Sequence, residues 1–422
     1  MTSTLLSKAS GWLAIITLAS QLMAVAGWVS AYVAIVLAWL TMAAMLPTLN
    51  RSACKQSLCL FVLGLTGLAT GVALGVSIDW HAVFAANVPL LTLFVAISFL
   101  SLTNAPHSDE ALPRGARAAA VTSIGTNVLG AIINLSVVLV FGDRLKRNGT
   151  LTNAQQIAIT RCFTAAAWWS PFFIATGVAL MYAPGMTWTA TVIPGVVMTL
   201  FSIGYTLLDI KQRHPAQFEG YPLKAESLVI PILMAVSVLL LQYYFPDVSI
   251  IVLISIISVL GSLLFIRERP RVPAIKHFIE HRLLSAGAQF ALFLAAGVFS
   301  AGIKTLLAIN PQLIDLHRYT FSSGMFAVVS AVMIIIGLAG VHPLISIAIV
   351  SPLLLPLSPD PASLGFLFLS TWAISTGSGP LSGIGLVMTG RYGIPARQII
   401  KNNWHYVIVM WLLACMVHAL LL

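Results

Sequence analysis

The chain has 422 residues, 59% of them hydrophobic and 8% charged, with a mean hydropathy of +0.97. Apolar runs of about 20 residues recur from end to end, which excludes a soluble globular protein and, because short alternating segments are missing, an outer-membrane barrel. The formal charge of +10 does not point to nucleic acid, since Lys and Arg fall mostly in connecting segments, where they set orientation.

In chain order, spans are expected near 10–27, 29–47, 57–77 and 83–102. Lys8 before the first, with "AVAGW" after it, resembles a signal peptide, but another span follows at once and an uncleaved span is expected. The stretch 118–141 has basic residues on both sides, Arg114 and Arg117 before it and Arg144, Lys146 and Arg147 after it. One crossing cannot keep both flanks cytoplasmic, whereas a re-entrant hairpin can. Its tip is expected at "SIGTNVLG", Ser123 to Gly130, where Gly125 and Gly130 permit a turn.

Further spans are expected near 157–183, 187–208, 227–244, 249–266 and 285–307, followed by a second interrupted stretch, 321–357, broken at "GLAGVHP". The run near 364–388 contains "STGSGP", and a last span covers 402–421. With the N-terminus cytoplasmic, this gives about eleven spans plus two hairpins entering from opposite faces of a multi-pass all-α protein.

The order three helices, hairpin, two helices occurs twice with opposite orientation. Residues 1–28 form an extra span, 29–208 a first repeat containing hairpin 118–141, 209–226 a cytoplasmic linker, and 227–422 a second repeat containing hairpin 321–357. Gly125 pairs with Gly337 and Pro171 with Pro380, each about 210 residues apart. Inverted repeats with interrupted helices in matching positions indicate a secondary transporter with a midplane site.

"STGSGP" is expected to unwind a helix, because Pro380 has no amide hydrogen and Gly377 and Gly379 loosen the backbone. Freed amides suit an anionic group; freed carbonyls and the hydroxyls of Ser375, Thr376 and Ser378 suit a cation. A Gly/Pro kink used only for packing is the competing explanation. The candidate binding residues are Ser123, Gly125, Thr126, Asn127 and Ser170 in the first half, and Gly340, His342, Ser375, Thr376, Gly377, Ser378 and Gly379 in the second. No catalytic residue and no cofactor is expected.

The segment "GLAGVHPLISIAIVSPLLLPLSPDPASLGFLFLSTWAISTGSGPLSGIGLVMTG" resembles the second-half signature of the ion transporter superfamily, in particular the large membrane subunit of tripartite (TRAP) carboxylate transporters. "TSIGTNVLGAIINLSVVLVFGDRLKRNG" through "AAAWWSPFF" is similar in layout, so the likeness spans roughly 110–400. His342 stands where an acid is usual, Ser378-Gly379-Pro380 replaces a proline pair, and the Ser-Asn-Thr signatures of dicarboxylate/sodium symporters are missing. The resemblance implies a scaffold domain and a mobile transport domain working as an elevator in the bacterial inner membrane, as a homodimer or beside a small TRAP-like subunit.

All twelve acidic residues fall in expected loops or near interfaces, so the expected substrate is an anion or neutral; the resemblance implies a small carboxylate-like organic anion. Arg161 is expected to snorkel to the cytoplasmic surface. Two sites lined by neutral oxygens favour Na+ as the coupling ion; His342 is the one titratable candidate for proton coupling. The alternatives are a TRAP-type subunit dependent on a binding protein, a channel, or an intramembrane enzyme built on Ser375 or Ser378 with His342. Segments 103–116 and 308–320 are expected to be interfacial arm helices, and "PAIKHFIEHRLL", 273–284, an amphipathic helix on the anionic inner leaflet.

Overall fold

The computed structural model describes residues 2–49, 51–103, 111–212, 217–223, 226–309 and 320–422. Among them the regular structure is helical, with two isolated β-bridges. The first three expected spans are α1 (Thr2–Val25), α2 (Ala31–Met45) and α3 (Arg51–Ala73). The fourth is interrupted. Asp79 caps α4 (Trp80–Ala85) by accepting from the Ala82 amide at 3.0 Å, and α5 (Val88–Ser98) restarts after Asn87 with Pro89 in its first turn. Proline has no amide to continue a ladder, so the chain breaks there, and the buried Asn87 side chain donates to the Phe293 carbonyl at 2.7 Å.

α6 (Ala116–Ile133) and α7 (Ser136–Leu145) occupy the first expected hairpin, but the turn is not where the glycines suggested. Ser123, Gly125, Thr126, Asn127 and Gly130 lie inside α6, and the chain turns at Asn134–Leu135, with Asn134 at φ 51°. The Asn134 side chain holds the turn by donating to the Phe172 carbonyl at 3.3 Å. Gly125 and Gly130 instead allow close packing, against Leu223 and Phe163 respectively.

α8 (Asn153–Ala165) starts with a capping box, in which Thr152 and Gln155 each satisfy the other's backbone amide. After a break come α9 (Ile174–Tyr182) and α10 (Trp188–Gln212). The second half runs α11 (Glu226–Tyr244), α12 (Ile250–Leu264) and α13 (Arg271–His277). A π turn at Phe278–Arg282 and a 3-10 turn at Leu283–Ala286 lead into α14 (Gly287–Ile309), then α15 (Ser323–Leu338) and α16 (Pro343–Leu354). α17 (Pro361–Ser378), α18 (Gly383–Tyr392) and α19 (Ala396–Leu421) complete the chain. The second turn, between α15 and α16, falls at Ala339–His342 as expected, with Gly340 at φ 101°. The expected arm helices lie largely outside the described residues.

Among the described residues, eight helices are long and apolar enough to cross a membrane, against the eleven spans expected; they include Ala116–Ile133, expected as one arm of a hairpin, and four further apolar helices are shorter, at 10–17 residues. The chain is a multi-pass helical membrane protein.

Two compact units cut across the expected repeats. Unit 1 comprises Met1–Asn104, Val236–Tyr319 and Ala348–Leu357; unit 2 comprises Ala105–Ala235, Thr320–Ile347 and Ser358–Leu422. Within unit 1, α3 packs on α14 and α5 on α12, over a core that includes Leu91, Val95, Phe278 and Phe290. Within unit 2, α6 packs on α8 and α10, while α15 packs on α17 and α19; α8 lies on α10 and on α17, and α17 on α19.

Candidate functional site

All the residues singled out in the sequence fall in unit 2. The first interruption follows α8: a 3-10 turn, Ala166–Trp168, gives way to Ser170-Pro171, and α9 begins at Ile174. Pro171 supplies no amide, so the ladder stops and side chains take over. Ser170 Oγ donates to the Ala131 carbonyl and accepts from the Phe172 amide at 3.2 Å, while the Ser170 carbonyl accepts from Thr176 Oγ1 at 2.6 Å. Asn127 Nδ2 donates to the Cys162 carbonyl at 2.9 Å, and Asn127 Oδ1 accepts from Trp169 Nε1 at 3.2 Å. Asn127 thus bonds Trp169, the residue before Ser170, and the polar groups of both Asn127 and Ser170 are spent on neighbours. Thr126 is turned back onto its own helix, bonding the Thr122 carbonyl at 2.7 Å, and Ser123 is buried beside the Cys162 thiol.

The second interruption has different accounts. α17 ends at Ser378, and the Gly379 amide closes the last turn on the Ser375 carbonyl at 2.8 Å. Ser382 Oγ lies at 2.7 Å from both the Thr376 and Gly379 carbonyls, and accepts from the Gly385 amide at 3.0 Å to cap α18. The α15–α16 turn lies against this break. Gly337 abuts Ser375, and Gly340 faces Leu381, whose Cβ is 2.8 Å from where a Cβ on the glycine would stand. His342 Nδ1 accepts from the Leu344 amide at 3.3 Å, and its ring meets Trp372 edge-on at 5.2 Å. Gly340, His342, Ser375 and Gly379 are therefore gathered at one place. Ser375 Oγ is tied to the Thr371 carbonyl at 2.6 Å, whereas the buried Thr376 Oγ1 and Ser378 Oγ have no protein partner.

The two interruptions meet. Trp168 Nε1 donates to Ser370 Oγ at 3.1 Å, and Gly377 packs directly against the Thr164 hydroxyl.

Arg161 does not snorkel. It is fully buried, with Nε donating to Asn403 Oδ1 at 2.8 Å, Nη1 to Asp209 Oδ2 at 2.9 Å, and Nη2 to the Asn402 carbonyl. The guanidinium lies 4.6 Å from the Tyr406 ring centroid. Asp209, in the last turn of α10 and so near a helix end as expected of the acids, faces this buried cation. A buried charge persists only when paired, and here one arginine ties α8 to α10 and α19.

A second feature escaped the sequence. In the linker between the halves, Glu219 Oε1 takes Arg114 Nη2 at 2.6 Å and Oε2 takes Arg147 Nε at 3.0 Å. Arg114 precedes α6 and Arg147 follows α7, so the helix pair starts and finishes at one carboxylate, which is the geometry of a hairpin. The Arg114 and Arg147 guanidiniums hold the Glu219 carboxyl below its usual range. Tyr221 adds a flush stack on Phe141, 3.9 Å between centroids, and its amide donates to Thr122 Oγ1 at 2.8 Å. In the last turn of α7, close to Arg147, Asp143 accepts from Arg391 Nε at 2.9 Å and Nη2 at 2.7 Å, and from Lys146 Nζ at 3.1 Å. The Arg391 contact, foremost, depresses the Asp143 carboxyl.

No protein-family profile matches the chain, and no curated protein matches it. A solved structure is similar: the crystal structure of the Alcanivorax borkumensis YdaH transporter, described as having an unusual topology, matches with a TM-score of 0.55 and 12% identity, over 86% of this chain and 97% of that chain. At that identity the likeness is one of fold alone.

Proposed function

We propose that the chain is a secondary active transporter of a small, carboxylate-like organic anion, coupled to Na+ and working by elevator alternating access in a bacterial inner membrane. The observation that carries this reading is the α17–α18 break, where the buried Thr376 and Ser378 hydroxyls lack protein partners beside the Ser382-capped start of α18. Buried polar groups are normally paired, so orphaned hydroxyls at a helix break are what a site for a bound ion would leave. The inverted repeat is supported by packing: α6 on α8 and α10 has its counterpart in α15 on α17 and α19, and α3 on α14 in α12 on α5. Both hairpin turns and both breaks belong to unit 2, which suits a mobile transport domain, with unit 1 as scaffold.

Sodium is favoured over protons because His342 uses Nδ1 to cap α16, leaving neutral oxygens as the available ligands. The same reasoning favours the second site over the first, where Asn127 and Ser170 are already satisfied and only the buried Ser123 hydroxyl lacks a hydrogen-bond partner. The test is uptake of labelled mono- and dicarboxylates into proteoliposomes holding the purified chain alone. Accumulation driven by a sodium gradient at fixed pH is expected. Accumulation without sodium that is lost in His342→Gln reverses the ion; dependence on an added binding protein indicates a tripartite subunit; downhill flux only indicates a channel; and chemical conversion of the substrate indicates an enzyme.

A further inference from the structure

Most of the described basic residues of unit 1 lie at one end; Lys304, near the close of α14, lies towards the other. The Arg267 amide donates to the Leu102 carbonyl at 3.2 Å, Gly287 packs against Met45, Thr48 and Leu49, and Gly11 abuts the Ile279 carbonyl. These contacts gather the start of α1, the α2–α3 link, the end of the α5 segment and residues 265–286 into one surface. Its cations are Lys8, Arg51, Lys55, Arg267, Arg269, Arg271, Lys276 and Arg282. Its two acids are already engaged. Glu268 takes both Arg282 amino groups, at 2.6 and 3.2 Å, and Glu280 sits between Lys8 at 3.6 Å and Lys276 at 4.0 Å. At the opposite ends of α3 and α12 stand Asp79 and Asp247.

The segment 265–286 is fixed by its apolar side: Phe278, Ile279 and Leu283 are buried in the unit 1 core. The opposite side exposes Arg269, Arg271, Val272, Lys276, His277 and His281, the two imidazoles stacked 4.7 Å apart. Because α12 and α14, which it joins, are apolar helices of a membrane protein, this surface stands at one face of the bilayer. Cations with paired acids and one apolar side chain among them match a layer of phosphate headgroups over acyl chains.

We infer that this composite end of unit 1 binds anionic phospholipid headgroups, with Arg269, Arg271 and Lys276 as the phosphate-contacting residues. The inference does not rest on the transported substrate. The probe is phosphatidylglycerol titrated into the delipidated, detergent-purified full chain, read as a rise in melting temperature. A saturable rise is expected at low salt, collapsing at high salt, with little response to phosphatidylcholine. At about fivefold in affinity per cation, R269Q/R271Q/K276Q should shift half-saturation by about a hundredfold. R397Q/K401Q, which alters exposed cations of α19 in unit 2, should leave it unchanged. Equal half-saturation in the triple variant, an equal response to phosphatidylcholine, or the same rise from inorganic phosphate or polyglutamate would each overturn the inference. If the triple variant does not fold, salt-insensitivity of the wild-type response overturns it instead.

Discussion

Gly377 rests directly on the hydroxyl of Thr164, so that a methyl group added to the glycine would occupy the oxygen's place. That hydroxyl is itself held by the Thr160 and Arg161 carbonyls, at 3.1 and 3.3 Å. Gly377 lies inside α17, whose helix runs on to Ser378, so the glycine that looked like a loosener of backbone is instead a spacer between α8 and α17.

Gly377→Ala is expected to cost about 1–3 kcal/mol through overpacking. Thr164→Ala should recover most of that loss, because it removes the clashing atom. The measurement is a double-mutant cycle by chemical unfolding in detergent; an equal cost of Gly377→Ala in both backgrounds would show that this contact does not matter.

Ser378→Ala and Thr376→Val remove hydroxyls that have no protein partner. Relieving an unsatisfied buried group, worth about 1–3 kcal/mol, should leave ligand-free stability unchanged or raised. On the proposed sodium coupling, added sodium should raise the melting temperature of the wild type and not that of either variant. Retention of the full sodium-dependent shift in melting temperature by both variants rules out these oxygens as ligands.

Arg161→Met leaves Asp209, Asn403 and the Asn402 carbonyl without their cation. Breaking a buried pair from one side costs about 3–5 kcal/mol, so the variant should be severely destabilised. Adding Asp209→Asn should restore part of the loss. A variant that melts like the wild type but shows a raised KM would mean that Arg161 serves the substrate instead.

Glu219 makes a pH-dependent clasp. Its folded-state pKa is lowered by Arg114 first and also by Arg147, so its contribution is fully present above the ordinary glutamate value and is lost as pH falls through the depressed one. Hydrogen exchange of α6 and α7 should accelerate in acid, and Glu219→Gln should give the acid-like rate at neutral pH. Because both arginines are largely exposed, raised salt should mimic the effect in part. Identical exchange in wild type and variant at neutral pH would show that the carboxylate holds nothing closed.

Flanking charge made the first hairpin legible. Arg114 and Arg147 bracket it in sequence, and they meet at Glu219 in space. Its turn was not legible, because a glycine in an apolar run serves a turn and a close helix contact equally well; Gly125 under Leu223 is the latter. The second turn was readable because Gly340 is followed closely by Pro343, which cannot continue the preceding helix. Asn87 gave little warning of a break, since its partner, the Phe293 carbonyl, is 206 residues away. Arg161 was misjudged for the same reason: Asp209 and Asn403 are 48 and 242 positions distant, and hydropathy carries no record of such pairings.

The Asp143–Arg391 contact joins the last turn of α7 to the last turn of α18, and the Tyr392 hydroxyl reinforces it by donating to the Leu139 carbonyl at 3.2 Å. A hairpin arm of one half and the outer half-helix of the other are thus mechanically one lever. Displacement of α18 after a ligand enters its break would pull on α7, and strain applied at the Glu219 end would be felt at Ser382. Occupancy of the second break and looseness of the first hairpin should accordingly vary together, as linked coordinates of a single cooperative step.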